Sequence, residues 1–424
     1  MNPKAVNTPP ISRRRVLHKF TATLTMTCAG AVRAAALKPA GFDASTLSRE
    51  NFLQVLEPVA QREGRLVFYN FAGTLDPVWK EGLIPRFTQR YGVKVEYHNV
   101  RRDQANQQLI SIHKAGMPSP VDVYFAGGPD NYALLRASGV IAPFNLSRLL
   151  PNLQAVPPQY KDVVFGVDTG GAWPIVNRNQ VALAYDSASL PTAQVPTSFD
   201  ELLTWAEKNP KRFAITSPAK GGSGGGFLYS AALHFVTEPQ ARKALRDARM
   251  TNEQVVRWAR DAVGLDPLWR YLTRLLKVAE LTNGNADTLN LINNRQVWIG
   301  TAWEDQVMTF VRSGQLPPTM RLTLLRKGMV ASGDGLIVTA NARSPAAALL
   351  FIDMAFGKEF QIWKLEHHAS RSPRSDIDAA TVVSADAARF MLPQAQLDTL
   401  SLLPNWTVTH GLQQVFEDNI LSRL

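Results

Sequence analysis

Strand-like and helix-like runs alternate along the first third of the chain, and this alternation limits the possible folds more than any other feature. Arg65-Leu66-Val67-Phe68-Tyr69-Asn70 reads as a strand, followed by a small-residue loop and a helix from Pro77 to Tyr91. Residues 93–97 and 121–125 read as two more strands, with a helix over about residues 104–114 between them. A parallel strand pair needs a crossover long enough to hold a helix, so this order indicates a parallel α/β sheet. Ligands of such sheets sit beyond the carboxyl ends of the strands. Two loops occupy that place, residues 71–74 and 126–131, and their small residues let a ligand approach the main chain.

The pattern changes further on. Residues 177–186 read as one extended strand, and Thr197-Ser198-Phe199-Asp200-Glu201 opens a helix with good N-cap chemistry. A short strand over residues 213–216 runs into Ser217-Pro218-Ala219-Lys220 and the cluster Gly221-Gly222-Ser223-Gly224-Gly225-Gly226, after which a helix begins at Phe227. Residues 253–282 read as helical, and their basic residues fit a solvated face. Residues 333–340 read as a strand, Ser344-Pro345 starts an apolar helix, and a last helix is expected around residues 412–421. With 424 residues, 45% of them hydrophobic, the chain can bury a large core, most simply as two domains.

The first 36 residues stand apart. They hold Lys4, Arg13, Arg14, Arg15, Lys19 and Arg33 and no acid, a twin-arginine pattern, a mildly apolar run and the tail Ala34-Ala35-Ala36. That is the layout of a bacterial export signal, although basic tails and presequences share parts of it. Thr25-Met26-Thr27 suits a lipid-anchor site at Cys28 poorly, so cleavage near Ala36 and a periplasmic location are expected. Without these residues the net charge falls from +11 to +5, too weakly basic to argue for nucleic acid, and no DNA-binding motif is present. Cys28 is the only cysteine, so a processed chain has no disulfide, thiolate metal site or cysteine nucleophile. No later stretch reaches the ~20 apolar residues of a spanning helix.

Several segments in fixed order carry a family pattern: Tyr69-Asn70, Val121-Asp122-Val123-Tyr124-Phe125, Val181-Ala182-Leu183-Ala184-Tyr185-Asp186, Pro196-Thr197-Ser198-Phe199, Ala214-Ile215-Thr216-Ser217-Pro218, Val297-Trp298-Ile299-Gly300-Thr301-Ala302-Trp303-Glu304 and Gly333-Asp334-Gly335-Leu336. Over most of residues 60–360 the chain resembles the extracellular solute-binding proteins of bacterial ABC importers. It resembles most the branch of thiamine, polyamine and ferric-ion binders, and within it the YnjB-type group. The resemblance implies the type II periplasmic-binding fold: two α/β lobes, each a mixed, mostly parallel sheet flanked by helices, joined by crossing hinge strands. Residues 37–180 and 331–424 would form the first lobe and 181–330 the second. Residues 181–185 would carry the chain across and residues 335–339 would return it, an arrangement that closes on ligand.

The implied ligand-binding residues are Asn70, Ala72, Gly73, Thr74 and Gly128 after the first and third strands; Asp168 and Thr169 before the hinge; Ser223 and Gly224 at a helix start; and Trp303, Glu304 and Asp334. An indole beside carboxylates favours a cation. Counting Asp168, Glu304, Asp305 and Asp334 against Lys220, the nominated segments suggest a cationic or zwitterionic ligand, thiamine- or polyamine-like. The expected partners are that small molecule and an ABC permease with a cytoplasmic ATPase. The protein is expected to be a monomer, with no catalysis, cofactor, metal or nucleic acid. The competing reading is a secreted serine hydrolase, because Gly221-Gly222-Ser223-Gly224-Gly225 fits G-x-S-x-G, with Asp334 and His367 or His410 following in order. Four residues separate the strand end from Gly221, too many for a tight nucleophile elbow. The histidines form no H-E-x-x-H, and His367-His368 cannot share one helical face.

Overall fold

The computed structural model describes residues 41–247 and 249–423. The export signal expected over residues 1–36 lies outside the described residues. Helix Phe52–Glu63 turns Phe52, Leu56, Val59 and Ala60 inward. It stops at Gly64, whose φ of +68° lets its N–H return to the Ala60 carbonyl at 2.9 Å. Strand β1 (Arg65–Asn70) follows, then β2 (Lys94–Asn99) and β3 (Val123–Gly127), both parallel to β1 and flanking it. The helix expected from Pro77 to Tyr91 is present, its first part, Val78–Leu83, wound as a wider π turn.

A two-residue ribbon, β4 (Val163–Val164) with β5 (Val167–Asp168), precedes β6 (Ile175–Asp186). Then come β7 (Phe213–Thr216), β8 (Glu280–Thr282), β9 (Ile299–Trp303), β10 (Met320–Thr323), β11 (Met329–Val338) and β12 (Ser401–Leu402). The main sheet runs β2-β1-β3-β11-β6-β9-β7-β8. Its two ends are parallel triplets, and its middle is antiparallel through β11 and β6. The first half of β6 pairs with β11, and the second half pairs with β9 and β10. The two long strands therefore join the triplets, with the crossing at Gln180↔Ala331 through Ile175↔Gly335.

Each triplet has its own apolar core. Phe52, Phe68, Trp79, Phe87 and Phe125 pack with helix Pro345–Ala355 around the first. Phe199, Phe213, Phe227 and Leu272 pack around the second. Asp122 is buried in the first and accepts main-chain N–H groups from Val67 (2.8 Å), Arg343 (2.8 Å) and Ser344 (2.9 Å). It thus ties β1 to the start of helix Pro345–Ala355. Glu63 caps that helix by accepting from the Ala346 and Ala347 N–H groups at 3.2 and 2.8 Å, where the helix dipole favours a carboxylate.

Grouping residues 331–424 with 37–180 describes the packing only through about Phe360. Helix Trp406–Asn419 packs instead against helices Gly222–Phe235 and Asn252–Asp261, with Val408, Leu412, Val415 and Phe416 in the second core. Gly411 makes this possible, because a Cβ there would lie 2.3 Å from Val255 Cγ1. Helix Lys358–His368 lies between, touching both the Val78–Leu83 turn and helix Glu304–Arg312.

Candidate functional site

The carboxyl ends of strands from both triplets converge on one cleft. It encloses about 540 Å³, a size typical of small-molecule sites. From the first triplet come Phe71, Ala72 and Thr74 beyond β1 and Gly128 beyond β3. From the second come Lys220, Gly221 and Gly222 beyond β7, Asn285 beyond β8 and Trp303 at the end of β9. The crossing strands add Asn179, Ser332 and Asp334.

Local chemistry fixes each wall. The Asn70 side chain is fully buried and braces its own loop. Its amide donates to the Ala72 carbonyl and to Asp76 Oδ1, each at 3.0 Å, while its oxygen accepts from the Ala72 N–H at 3.0 Å. Asn70 therefore positions Ala72 rather than facing the cleft. Gly222 lets the Trp303 ring lie against the loop, since a Cβ there would be 2.9 Å from its Cζ2. Asn179 Nδ2 donates to Asp334 Oδ2 at 2.8 Å, and Asn177 Nδ2 in turn donates to Asn179 Oδ1 at 2.6 Å. This amide row holds the Asp334 carboxylate on the crossing strands.

Of the residues nominated from sequence, Ala72, Thr74, Gly128, Trp303 and Asp334 line the cleft. The others do not. Gly73 packs toward Asn99. Asp168 lies in the β4–β5 ribbon and accepts from the Gly170 N–H, and buried Thr169 donates to the carbonyls of Lys161 and Asp162. Glu304 turns away from the cleft into a buried pair with Arg371, with two contacts at 2.7 Å, and accepts the Leu392 N–H at 2.7 Å.

Ser223 is fully buried in the first turn of helix Gly222–Phe235. Its hydroxyl donates to Asn285 Oδ1 at 2.8 Å and Thr216 Oγ1 at 3.1 Å, so the serine sits within a helix and has no histidine partner, unlike a nucleophile elbow. Gly224 faces the β7 main chain, where a Cβ would meet the Thr216 carbonyl oxygen at 1.9 Å. Gly224→Ala should therefore destabilise the fold by about 1–3 kcal/mol through overpacking. A lowered urea midpoint would show it, and an unchanged midpoint would refute this account of the glycine.

Sequence reasoning missed one whole wall. Helix Trp406–Asn419 presents Trp406, His410 and Gln413 to the cleft, and Gln413 Nε2 fastens the glycine loop by donating to the Pro218 carbonyl at 2.9 Å. The spacing i, i+4, i+7 marks a single helix face. Arg102, at the start of helix Arg102–Lys114, was also missed. The acid bias of the nominated segments becomes a balance. Asp305 and Asp334 line the cleft with Arg102 and Lys220, while Asp168 and Glu304 lie outside it.

Asp305 has an unusual setting. It lies in the first turn of helix Glu304–Arg312, and burial, with Asp334 and Glu304 nearby, pushes its carboxyl up to about 7. Behind it, burial draws the Lys364 ammonium down to about 7, against the pull of Asp305; Lys364 donates to the Ser370 and Arg371 carbonyls at 2.8 and 3.2 Å. Among the described residues no three His, Cys, Asp or Glu side chains gather as a metal site, and no helix is long and apolar enough to cross a membrane.

The family model of the bacterial extracellular solute-binding proteins matches residues 82–391. The chain belongs to this family. No curated protein matches it by sequence. Solved structures share its fold at low identity. Iron-bound HitA from Pseudomonas aeruginosa aligns with 17% identity and a TM-score of 0.59, covering 84% of this chain and 99% of its own. AfuA from Actinobacillus pleuropneumoniae, with fructose-6-phosphate bound, aligns with 17% identity and a TM-score of 0.58 over 84% and 99%. An ABC transporter protein from Clostridium perfringens aligns with 15% identity and a TM-score of 0.60 over 84% and 99%. The fold of this solute-binding protein is thus the type II periplasmic-binding fold.

Proposed function

We propose that this protein is an exported receptor that captures a small polar solute bearing a positive charge, cationic or zwitterionic, and delivers it to the permease of an ABC importer. The observation that carries this reading is the cleft itself, walled by strand ends from both triplets and floored by the crossing strands. A ligand there would touch both halves, so closing on it would be favourable only when it is bound. In this reading the two triplets, each with its core, are lobes, and β6 with β11 is the hinge. The family's extracellular character supports export through the N-terminal segment, and the Clostridium neighbour supports a place in an ABC system.

The neighbours hold ligands as different as iron and a sugar phosphate, so they do not favour one ligand class. The charges of this cleft balance, so its aromatic side chains are what tip the choice. Trp303 and Trp406 offer indole faces, and Asp305 and Asp334 offer carboxylates, a set that suits an organic cation. Lys220 in the same lining suits an anionic group on the same ligand. A ligand at a hundred times its Kd should stabilise the fold by about 2.7 kcal/mol. A melting screen with thiamine and its phosphates, polyamines, amino acids, sugars and metal ions should therefore raise the Tm with a positively charged organic compound. A screen flat across all these compounds would reject the receptor reading.

A further inference from the structure

Two polar side chains in the cleft have hydrogen-bonding capacity that the protein leaves unused. Asp305 and Gln306 are each only 5% exposed, yet both line the cavity. Asp305 Oδ1 accepts the Gln306 N–H at 3.0 Å, whereas Oδ2 accepts no bond from the described residues. The Gln306 side-chain amide likewise makes no bond to them. Neither side chain is among the fully buried unpartnered groups of the described residues, so both reach the cavity. Two neighbouring polar groups open to a cavity and unused by the protein are placed to meet a ligand.

The chemistry around them narrows its class. Asp334 on β11 adds a second carboxylate, and Trp303 and Trp406 add aromatic faces. An anionic group would be repelled here, whereas an ammonium would find acceptors in Asp305 Oδ2 and the Gln306 carbonyl. Resting on the receptor reading above, we propose that Asp305 and Gln306 are the specificity determinants of the cleft, that they hold an ammonium group of the ligand, and that its binding drives a proton from Asp305 into solvent.

The surroundings of Asp305 support the proton coupling. Asp334 and Glu304 oppose its ionisation, and Lys364 favours it from helix Lys358–His368. His368 on that helix is drawn down to about 4 by burial, with His367, Arg312 and Lys364 adding to it, and so stays neutral. Arg371 is engaged by Glu304. Arg178, on β6, lies over the Tyr160 ring, and Arg321, on β10, donates to the Pro318 and Met320 carbonyls, so neither is spent on Asp305. The loop 73–75 and β9 contribute no titratable side chain. Burial, Asp334 and Glu304 push this carboxyl up to about 7, and a bound cation favours its charged form. Affinity should therefore fall about tenfold per pH unit below 7 and level off above about 8.

The test is calorimetric titration of the full chain with putrescine, spermidine, thiamine and arginine, and with fructose 6-phosphate as the anionic probe, between pH 5.5 and 8.5. At least one cation should bind, more tightly as pH rises to 7, with proton release visible as a buffer-dependent heat. Asp305→Asn should flatten the profile and weaken binding at pH 8 by about ten- to a hundredfold, the worth of a hydrogen bond to a charged group. Gln306→Ala should weaken binding and leave the pH profile in place. An unchanged melting curve of each empty variant guards against misfolding. Tight binding of fructose 6-phosphate and of no cation would overturn the proposal and the positive charge assigned to the solute, while the receptor role itself would stand. Cation binding indifferent to Asp305→Asn would also overturn it. Binding of no probe at all would count against both.

Discussion

Arg371→Ala will destabilise the protein by about 3–5 kcal/mol, the usual cost of stranding one partner of a buried ion pair. The Glu304 side chain is 1% exposed and that of Arg371 6%. The guanidinium meets both carboxylate oxygens at 2.7 Å, and it also donates to the Leu392 carbonyl and to Gln394 Oε1. Removing it leaves a buried carboxylate that water cannot reach. Arg371→Lys will recover little, because an ammonium cannot reproduce the planar fork. The double variant Glu304→Met with Arg371→Met should recover much of the loss but stay below wild type, since exchanging both charges for apolar groups is often neutral while the Leu392 N–H and carbonyl lose their partners. Urea midpoints of the three variants decide the matter. A double variant as unstable as Arg371→Ala would show that the pair itself, and not the stranded charge, carries the energy.

Asp122→Ala is expected to cost about 3 kcal/mol, because the buried N–H groups of Val67 and Ser344 and the partly buried one of Arg343 lose the carboxylate that accepts them, at about 1–3 kcal/mol for each buried group. The damage should be local to the first core, so hydrogen exchange should quicken in β1 and at the start of helix Pro345–Ala355 before it does elsewhere. Asp122→Asn keeps one acceptor oxygen and should fall between Ala and wild type. If Ala and Asn were equally mild, water would have to be replacing the carboxylate.

The sequence revealed the parallel strands well because their pattern is local: apolar strand runs alternate with helical ones, and that order alone forces the crossovers. Ala72, Thr74, Gly128 and Trp303 were legible for the same reason, since strand ends point at ligands in this kind of sheet. Adjacent residues at a helix start were harder to separate. Glu304 and Asp305 differ by roughly 100° around the axis, so one enters the cleft while the other enters the buried pair, and nothing in the sequence tells them apart. Ser223 and Gly224 look like a binding loop, yet their environment is set by Asn285 and by the Thr216 carbonyl, both supplied by distant packing. Trp406, His410 and Gln413 were illegible because their helix docks on the second core through contacts far apart in sequence. Their own spacing shows only a helix face.

The position of β11 governs how the molecule can be made. It is the inner neighbour of both β3 and β6, but it is translated long after either. Until it arrives, a nascent chain holds two unfinished sheet borders, each exposing a row of unpaired main-chain groups that invites pairing with another chain. Completion waits on one late, long-range closure, the kind of step that slows folding most. A fragment ending before residue 329 would lack the strand that joins its halves. Such a fragment belongs among aggregation-prone intermediates, not among independent domains.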